Sequence, residues 1–373
     1  MPRELIAIAP RTPVLREYEE PDLGSHQIRI RAEFASPKHG TELVAYRNDP
    51  AANRPYDRGL GCVMPRTEEQ AARAFPHPLG NMAVGVVTDV GVEVSRFKRG
   101  DQVFGHLPIR ETYTVDESMV DLLPDGLTAE AAMCLDPTVM AMAMRDAPVR
   151  LGDWVAIFGM GAIGLMAVQL ARISGADLVI GIDLIETRRN LARDLGADVA
   201  LDPNADGGDV GLTIRRMTGR SGQQDSEQPA RKRVLGGYWE VPQDWSRCGV
   251  DVAVEASGSI RALQQAIRAT RYGGTICVLS FYGGDAAGLR LGEEFHINRL
   301  QLVSARSESL PMRDHPGWTL QRYVELSLRW LVSGRLRTEG IVTPIVSFED
   351  SVDAYRNIDE HPEESIKLGI RFT

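Results

Sequence analysis

The sequence predicts an α/β protein in which a doubly wound parallel sheet is joined to a second, β-rich domain. A strand, a glycine-rich turn, a helix and another strand follow one another in residues 154–183. Strand and helix patterns then alternate as far as residue 306, whereas period-two strands and turn clusters dominate before residue 130. The 373 residues are enough for two domains, each with its own core.

The first strand–turn–helix unit reads "WVAIFGMGAIGLMAVQLARISGADLVIGID" and contains a GxGxxG motif. Its first glycine permits a tight turn, its second lets the backbone approach a pyrophosphate, and its third lets the helix pack on the strand. The phosphates would lie at the helix N-terminus. A turn without a ligand is the alternative, which the surrounding strands and helix disfavour. The predicted cofactor turn consists of Gly159, Met160, Gly161, Ala162, Ile163 and Gly164.

Asp183 closes the second strand about twenty residues beyond the motif, where a carboxylate accepts hydrogen bonds from the adenosine ribose. The same charge repels a 2′-phosphate, so the sequence favours NAD over NADP. Arg188 is a further candidate cofactor contact. On the helical stretch "ETRRNLARDLGA", however, Arg188 and Arg189 also suit a solvated surface.

Further apolar strands are predicted at residues 198–202, 250–257, 275–281 and 300–306. With the first two they make six, and six parallel strands alternating with helices describe a complete doubly wound nucleotide fold. Cofactor contacts are also assigned where the fourth and fifth strands end, at Ala256, Ser257, Ser280 and Phe281. Residues 219–247 exceed an ordinary connection and are interpreted as an insertion before the fourth strand.

The two ends of the chain supply the β-rich part. Alternating strands such as "QIRIRAEF" precede residue 130, with turn clusters between them. After residue 306 come a helix around "LQRYVELSLRWLVSG" and a final strand, "IKLGIRF". These are too little for a separate core, so we expect them to return to the first domain.

Composition excludes several classes of protein. A net charge of −9 disfavours binding to nucleic acid or anionic membranes, and no apolar run approaches the length of a membrane span. The first residues lack the regions of a secretory signal, so we expect a cytoplasmic protein. Cys62, Cys134, Cys248 and Cys277 lie far apart without a CxxC pair, which predicts buried thiols rather than disulfides or a structural zinc lobe.

Over nearly its whole length the chain resembles the medium-chain dehydrogenase/reductase superfamily, which includes alcohol and polyol dehydrogenases. The resemblance rests on "GVVTDVGVEVSRFKRGDQVFG", "LGDWVAIFGMGAIGLMAVQLA", "LGAD", "GVDVAVEASG" and "SIKLGIRF". It implies a GroES-like catalytic domain at 1–136 and 307–373 around a Rossmann domain at 137–306. It also implies a homodimer or homotetramer, with "LQLVSAR" as the edge strand that pairs between subunits.

The chain departs from zinc-dependent members of that family. Those members carry a cysteine ligand where His39 stands, and His-Glu where Asn81–Met82 stand. Cys134 falls near a further ligand position, and Asp136–Pro137 resembles the family's Glu-Pro pair. A catalytic zinc needs about three protein ligands and methionine is a poor one, so no metal is expected. A rearranged site of His39, Cys134 and Asp136 is the alternative.

Without zinc, hydrogen-bond donors and an acid/base group must stabilise the developing oxygen charge. The family uses the position of Thr41 as a proton relay, His39 stands at a ligand position, and Lys38 donates a charged hydrogen bond if it turns inward. The structural alternatives are a solvated Lys38, a loop-bonded His39 and a turn-capping Thr41. Glu42 is expected to orient a neighbour. The candidate catalytic residues are Lys38, His39, Thr41, Asn81 and Asp136.

These features predict a zinc-independent NAD(H)-dependent oxidoreductase that interconverts a secondary alcohol and a ketone. The polar stretch 45–78, with Arg47, Tyr56 and Arg58, suggests a sugar, cyclitol or other polar small-molecule substrate, although a solvated loop explains it equally well. One alternative is a zinc-free quinone or enoyl reductase that reduces an activated C=C bond. Another is a nucleotide-binding protein without catalysis, since fold alone does not fix activity.

Overall fold

The computed structural model describes residues 1–52, 54–219, 232–234, 239–241, 248–309 and 313–373. The chain forms two compact units. Unit 1 comprises Met1–Pro137, Gly283–Asp285 and Val324–Thr373, and unit 2 comprises Thr138–Tyr282 and Ala286–Tyr323. The predicted insertion at 219–247 lies largely outside the described residues.

The N-terminal part of unit 1 is rich in strands, as the alternating sequence predicts. In the strand Gln27–Ser36, buried Ile28, Ile30 and Ala32 alternate with more exposed neighbours. The strands are β1 (Arg3–Ala9), β2 (Thr12–Glu17), β3 (Gln27–Ser36), β4 (Tyr56–Asp57), β5 (Cys62–Val63), β6 (His77–Pro78), β7 (Met82–Val90), β8 (Gln102–Gly105), β9 (Thr112–Asp116) and β10 (Asp121–Leu122). The helices are α1 (His39–Tyr46), α2 (Glu68–Ala72), α3 (Ala129–Ala132) and α4 (Leu135–Met142), the last of which extends into unit 2.

Unit 2 contains the doubly wound sheet. Its strands are β11 (Trp154–Phe158), β12 (Leu178–Ile182), β13 (Val199–Leu201), β14 (Lys232–Val234), β15 (Trp239–Val241), β16 (Val250–Glu255), β17 (Thr270–Val278) and β18 (Gln301–Ser304). Its helices are α5 (Ala162–Ile173), α6 (Glu186–Asp194), α7 (Val210–Thr218) and α8 (Ile260–Ala269).

In the described part of unit 2, parallel strands follow the order β13-β12-β11-β16-β17-β18, and β14 pairs with β15 separately. The predicted fold class is confirmed. The chain order reverses between β11 and β16, which is where such sheets bind their ligands. Strand β17 begins earlier than predicted, because its first residues already run beside β16 with an irregular register at Val250/Val252.

The end of the chain returns to the N-terminal sheet through α9 (Leu320–Val332), β19 (Val342–Ser347), α10 (Ser351–Glu360) and β20 (Lys367–Arg371). Strand β20 is antiparallel to β3 and parallel to β19, giving the order β10-β8-β7-β3-β20-β19 with β9 also on β3. The sequence did not indicate β19, whose interior Pro344 disfavours a strand.

Residues 307–323 belong to unit 2, whereas the sequence placed its boundary at residue 306. Arg145 explains why this stretch stays there: its Nη2 donates to Asp314 Oδ2 at 2.7 Å, and its guanidinium lies 3.7 Å from the centre of the Trp318 ring. The division into a catalytic and a cofactor domain stays a prediction. None of the described helices has the length and apolar character needed to span a membrane.

Candidate functional site

The glycine turn of unit 2 has the backbone that a dinucleotide pyrophosphate requires. Gly159 has φ +93°, and an added Cβ would lie 2.8 Å from Ser257. At Gly164 an added Cβ would overlap the Gly159 carbonyl oxygen. Gly161 differs: it precedes α5 as its N-cap, and among the described residues no heavy atom beyond its chain neighbours lies within 4 Å of an added Cβ. The turn therefore leaves open space beside the first N–H groups of α5, where a phosphate is stabilised.

Asp183 links this turn to the end of β12. The carboxylate is 9% exposed; its Oδ2 accepts the Met160 N–H at 2.7 Å and its Oδ1 accepts the Ile185 N–H at 2.9 Å. Each oxygen keeps a second lone pair for a ribose hydroxyl. Arg188 Nη1 lies 4.0 Å from Asp183 Oδ2, whereas Arg189 Nη1 donates to the Asp183 carbonyl at 2.8 Å. Arg188, not Arg189, is thus the arginine beside the carboxylate.

Glu255, which the sequence analysis missed, organises the end of β16. It is fully buried, and its carboxylate accepts the Ser257 N–H at 2.8 Å, the Ser257 hydroxyl, the Gly258 N–H at 3.2 Å and the Tyr282 hydroxyl. Burial, together with the Glu255 charge, raises the pKa of Tyr282, so the phenol stays a donor. The available signal was a carboxylate inside the apolar strand "VDVAVEAS".

The other predicted contacts of unit 2 lie at the same strand ends. The Ala256 N–H donates to the Phe158 carbonyl at 2.8 Å, and the Ser280 hydroxyl donates to the Glu255 carbonyl at 3.4 Å. The Phe281 side chain is 55% exposed. Ala256, Ser257 and Ser280 are therefore gathered around Glu255, at the carboxyl ends of β16 and β17.

In unit 1, Lys38 turns inward. It is the N-cap residue of α1, and its Nζ donates to Asp136 Oδ1 at 3.1 Å. The Lys38 side chain is 21% exposed and that of Asp136 only 6%, so water screens this ion pair less than it would a surface pair. Lys38 is therefore not the solvated surface lysine that the sequence left open.

Glu42 orients its neighbours, as expected for it. Its Oε2 accepts the Lys38 N–H at 2.9 Å, and its Oε1 accepts the Gly80 N–H at 2.6 Å and the Tyr355 hydroxyl at 2.7 Å. Burial raises the pKa of Glu42, and these three donors together with the positive charge of Lys367 oppose the rise. The carboxylate fixes the backbone of the loop from which the Lys38 side chain extends.

His39, Thr41 and Asn81 lie in different environments. His39 Nε2 accepts a hydrogen bond from the Leu368 N–H at 2.9 Å, so this nitrogen is bonded to strand β20. The Thr41 side chain is exposed on α1. Asn81 Nδ2 is buried without a hydrogen-bond partner among the described residues, although the Asn81 backbone N–H donates to the Ser36 carbonyl at 3.0 Å. An unsatisfied buried amide is costly, so Asn81 favours an incoming oxygen acceptor. The catalytic roles of all three stay predictions.

Lys367 is a second residue that the sequence analysis missed. It is 4% exposed, and its Nζ donates to the Pro37 carbonyl at 2.9 Å. Burial lowers the pKa of Lys367, while Asp136, Cys134 and Glu42 act in the opposite direction. The signal was a lysine at the start of the otherwise apolar final strand.

The residues at the positions where zinc-dependent members of the family carry their ligands do not fit a zinc ion. Cys134 is completely buried, and burial raises the pKa of its thiol to about 12. Asp136 accepts from Lys38, and His39 Nε2 accepts from a backbone N–H. Among the described residues, the one group of possible ligands within 4.8 Å of one another is exposed and remote in sequence from this loop: His361, Glu363 and Glu364.

Comparison with known proteins places this geometry in a family. The chain is 37% identical to the D-guloside 3-dehydrogenase of Escherichia coli (strain K12) over 379 residues, which span 99% of this chain and 100% of the relative. The chain belongs to the medium-chain dehydrogenase/reductase superfamily. It is therefore an oxidoreductase. The zinc-binding dehydrogenase family model matches residues 162–310, which do not include Lys38, Asn81 or Asp136.

Solved structures of this medium-chain dehydrogenase/reductase fold agree with the two-part architecture. The 2R,3R-butanediol dehydrogenase of Bacillus subtilis has a TM-score of 0.70 at 21% identity, and the match covers 100% of this chain and 99% of the other. A dehydrogenase structure from Sinorhizobium meliloti 1021, bound to NADP, has a TM-score of 0.70 at 18% identity with the same coverage of both chains. At these identities the likeness concerns the fold alone.

Proposed function

We propose that the protein is an NAD(H)-dependent, zinc-independent dehydrogenase that oxidises a secondary hydroxyl of a sugar or glycoside to a ketone. The observation that carries the proposal is the Lys38–Asp136 pair, a partly buried ammonium and a buried carboxylate 3.1 Å apart. Lys38 directly precedes His39, where the family resemblance implies a zinc ligand. The relative that is 37% identical is named for oxidation at the 3-position of a D-guloside, which supports a hexoside as substrate.

Oxidation of such a hydroxyl removes a hydride from carbon and a proton from oxygen, and bound NAD⁺ supplies the acceptor for the hydride. Lys38 Nζ, held by Asp136, donates a charged hydrogen bond to the oxygen as negative charge develops on it. Asn81 Nδ2, which has no hydrogen-bond partner in the described part of the chain, donates a second hydrogen bond. The exposed Thr41 hydroxyl passes the proton to water, and the ketone remains. Reduction follows the same steps in reverse.

The choice of NAD is supported by the residues that surround the turn. Gly161 leaves space for the pyrophosphate, and Asp183 offers lone pairs to the ribose hydroxyls while its charge opposes a 2′-phosphate. Arg188, 4.0 Å from that carboxylate, partly offsets its charge. We therefore propose a preference for NAD that is moderate rather than absolute.

The test is a direct assay of the purified chain with NAD⁺ or NADP⁺ and a panel of methyl hexosides that includes methyl D-guloside. We expect NADH formation with at least one glycoside, far less than one zinc per chain by elemental analysis, and unchanged activity after chelation. Stoichiometric zinc, or activity lost to a chelator and restored by zinc, would contradict the metal-independent mechanism. Turnover of quinones or enones with NADPH, in place of glycosides, would favour C=C reduction.

A further inference from the structure

Lysine is rare in this chain, and its placement is informative. Only four of the 42 lysine and arginine residues are lysines: Lys38, Lys98, Lys232 and Lys367. Two of the four, Lys38 and Lys367, lie around Asp136, and Lys98 is exposed elsewhere in unit 1. Lysine differs from arginine in carrying a compact point charge on a flexible stem. Two of the four lysines therefore lie around Asp136, in the region where the family resemblance implies a zinc site.

Strand β20 holds the loop that carries Lys38 through three hydrogen bonds. The Ser36 hydroxyl donates to the Leu368 carbonyl at 2.7 Å, Lys367 Nζ donates to the Pro37 carbonyl at 2.9 Å, and the Leu368 N–H donates to His39 Nε2 at 2.9 Å. Residues on both sides of Lys38 are therefore held by hydrogen bonds to β20.

Lys367 also helps to balance the negative charge of Asp136. Asp136 accepts a hydrogen bond from Lys38 and also acts electrostatically on Lys367, whose own hydrogen bond goes to the Pro37 carbonyl. An ammonium has three N–H donors, and one of those of Lys38 is used by Asp136. Without the charge of Lys367, Lys38 alone would compensate Asp136, and the pair would tighten at the expense of a substrate oxygen.

We propose that Lys367 is a positioning residue for the reaction proposed above: its buried ammonium holds the Pro37 carbonyl, directly before Lys38, and so directs the Lys38 ammonium to the substrate oxygen. The inference rests on the proposed function. It assigns to the last strand of the chain a part in catalysis, although Lys367 itself does not touch the reacting atoms.

The experiment compares full-length variants in NAD⁺-dependent oxidation of methyl D-guloside, or of the glycoside with the highest turnover in the panel. Lys367→Gln removes the charge and keeps a donor for Pro37, Lys367→Arg keeps the charge, and Lys98→Gln is the exposed control. We expect kcat to fall about tenfold or more in Lys367→Gln, to recover largely in Lys367→Arg and to stay unchanged in Lys98→Gln. The dissociation constant for NADH should not change, because it depends on the glycine turn.

The double variant Lys38→Met/Lys367→Gln separates positioning from general weakening of the fold. If Lys367 acts through Lys38, the second substitution should cost less than about twofold once Lys38 is absent. Equal losses in both backgrounds would overturn the inference, as would an unchanged kcat in Lys367→Gln. If Lys367→Gln and Lys367→Met both lose the circular dichroism of the folded chain, Lys367 is required for folding and the inference also fails. A fully active Lys38→Met variant would instead overturn the proposed function.

Discussion

At the residue scale, the site is an arrangement of buried and partly buried charges in a place where the family resemblance implies a metal. The site contains two cations, Lys38 and Lys367, and two carboxylates, Glu42 and Asp136. Hydrogen bonds hold each of them in position. Buried charges survive only when they are paired or bonded in this way. Under the proposed function, this arrangement supplies positive charge to the substrate oxygen in place of a metal ion.

The cysteines give a direct test of this environment. The prediction that the four cysteines are buried thiols is wrong for Cys62 and Cys248, which are exposed. Cys134 and Cys277 are buried, and burial raises the pKa of both thiols to about 12. Because the thiolate is the reactive form, we expect native protein at pH 8 to react with iodoacetamide at Cys62 and Cys248 only. Peptide mass spectrometry after a short exposure checks this, with urea-unfolded protein as the control in which all four react. Rapid native alkylation of Cys134 would contradict the buried-thiol assignment and reopen a metal role for it.

Asp183 and Arg188 should act on cofactor choice in opposite directions. Asp183→Asn removes the charge that repels a 2′-phosphate while retaining an acceptor for a backbone N–H, so the ratio of NADP to NAD affinity should rise by about tenfold. Arg188→Ala removes the neighbouring positive charge and should lower that ratio. Isothermal titration with both oxidised cofactors measures the two ratios. Tighter NADP⁺ binding by the unmodified chain would show that Asp183 does not determine the choice.

At the element scale, the sequence predicted what depends on local pattern. The turn at Gly159–Gly164, the six parallel strands and the final strand each carry a short-range signal, and each forms as expected. Lys367 was missed because its partner Pro37 lies 330 residues away along the chain. Glu255 was missed although most of its partners are local, at Ser257 and Gly258. The inward turn of Lys38 likewise depends on Asp136, 98 residues away.

The glycine turn offers a matched pair of variants that separates folding from cofactor binding. An added methyl at Gly164 overlaps the Gly159 carbonyl oxygen, so Gly164→Ala should destabilise the protein by about 1–3 kcal/mol or more. At Gly161 the added methyl enters open space, so Gly161→Ala should cost about 1 kcal/mol or less.

The same methyl group of Gly161→Ala, however, occupies the approach of the pyrophosphate. We therefore expect NADH affinity to fall about tenfold or more in this folded variant. Urea unfolding and fluorescence titration of NADH measure the two effects separately. If Gly161→Ala binds NADH normally, the cofactor does not lie against this turn.

At the scale of the whole molecule, the doubly wound sheet has an outer edge at strand β18. Strand β18 ends the strand order in the described residues, and its Leu302 side chain is 43% exposed. An unpaired edge with an apolar side chain is a template for a further strand. We propose that two copies of the chain pair there about a two-fold axis, as the family resemblance implies.

This proposal predicts a dimer, or a tetramer built from such dimers, at micromolar concentration. Leu302→Lys places a charge on the edge, a substitution that opposes strand pairing, and should shift the protein towards monomer. Leu122→Lys is a suitable control, because Leu122 is 52% exposed on β10, at the edge of the other large sheet. Multi-angle light scattering gives the mass of each form. A monomeric parent chain would exclude pairing at β18, and a Leu302→Lys variant that stays fully dimeric would place the interface on another surface.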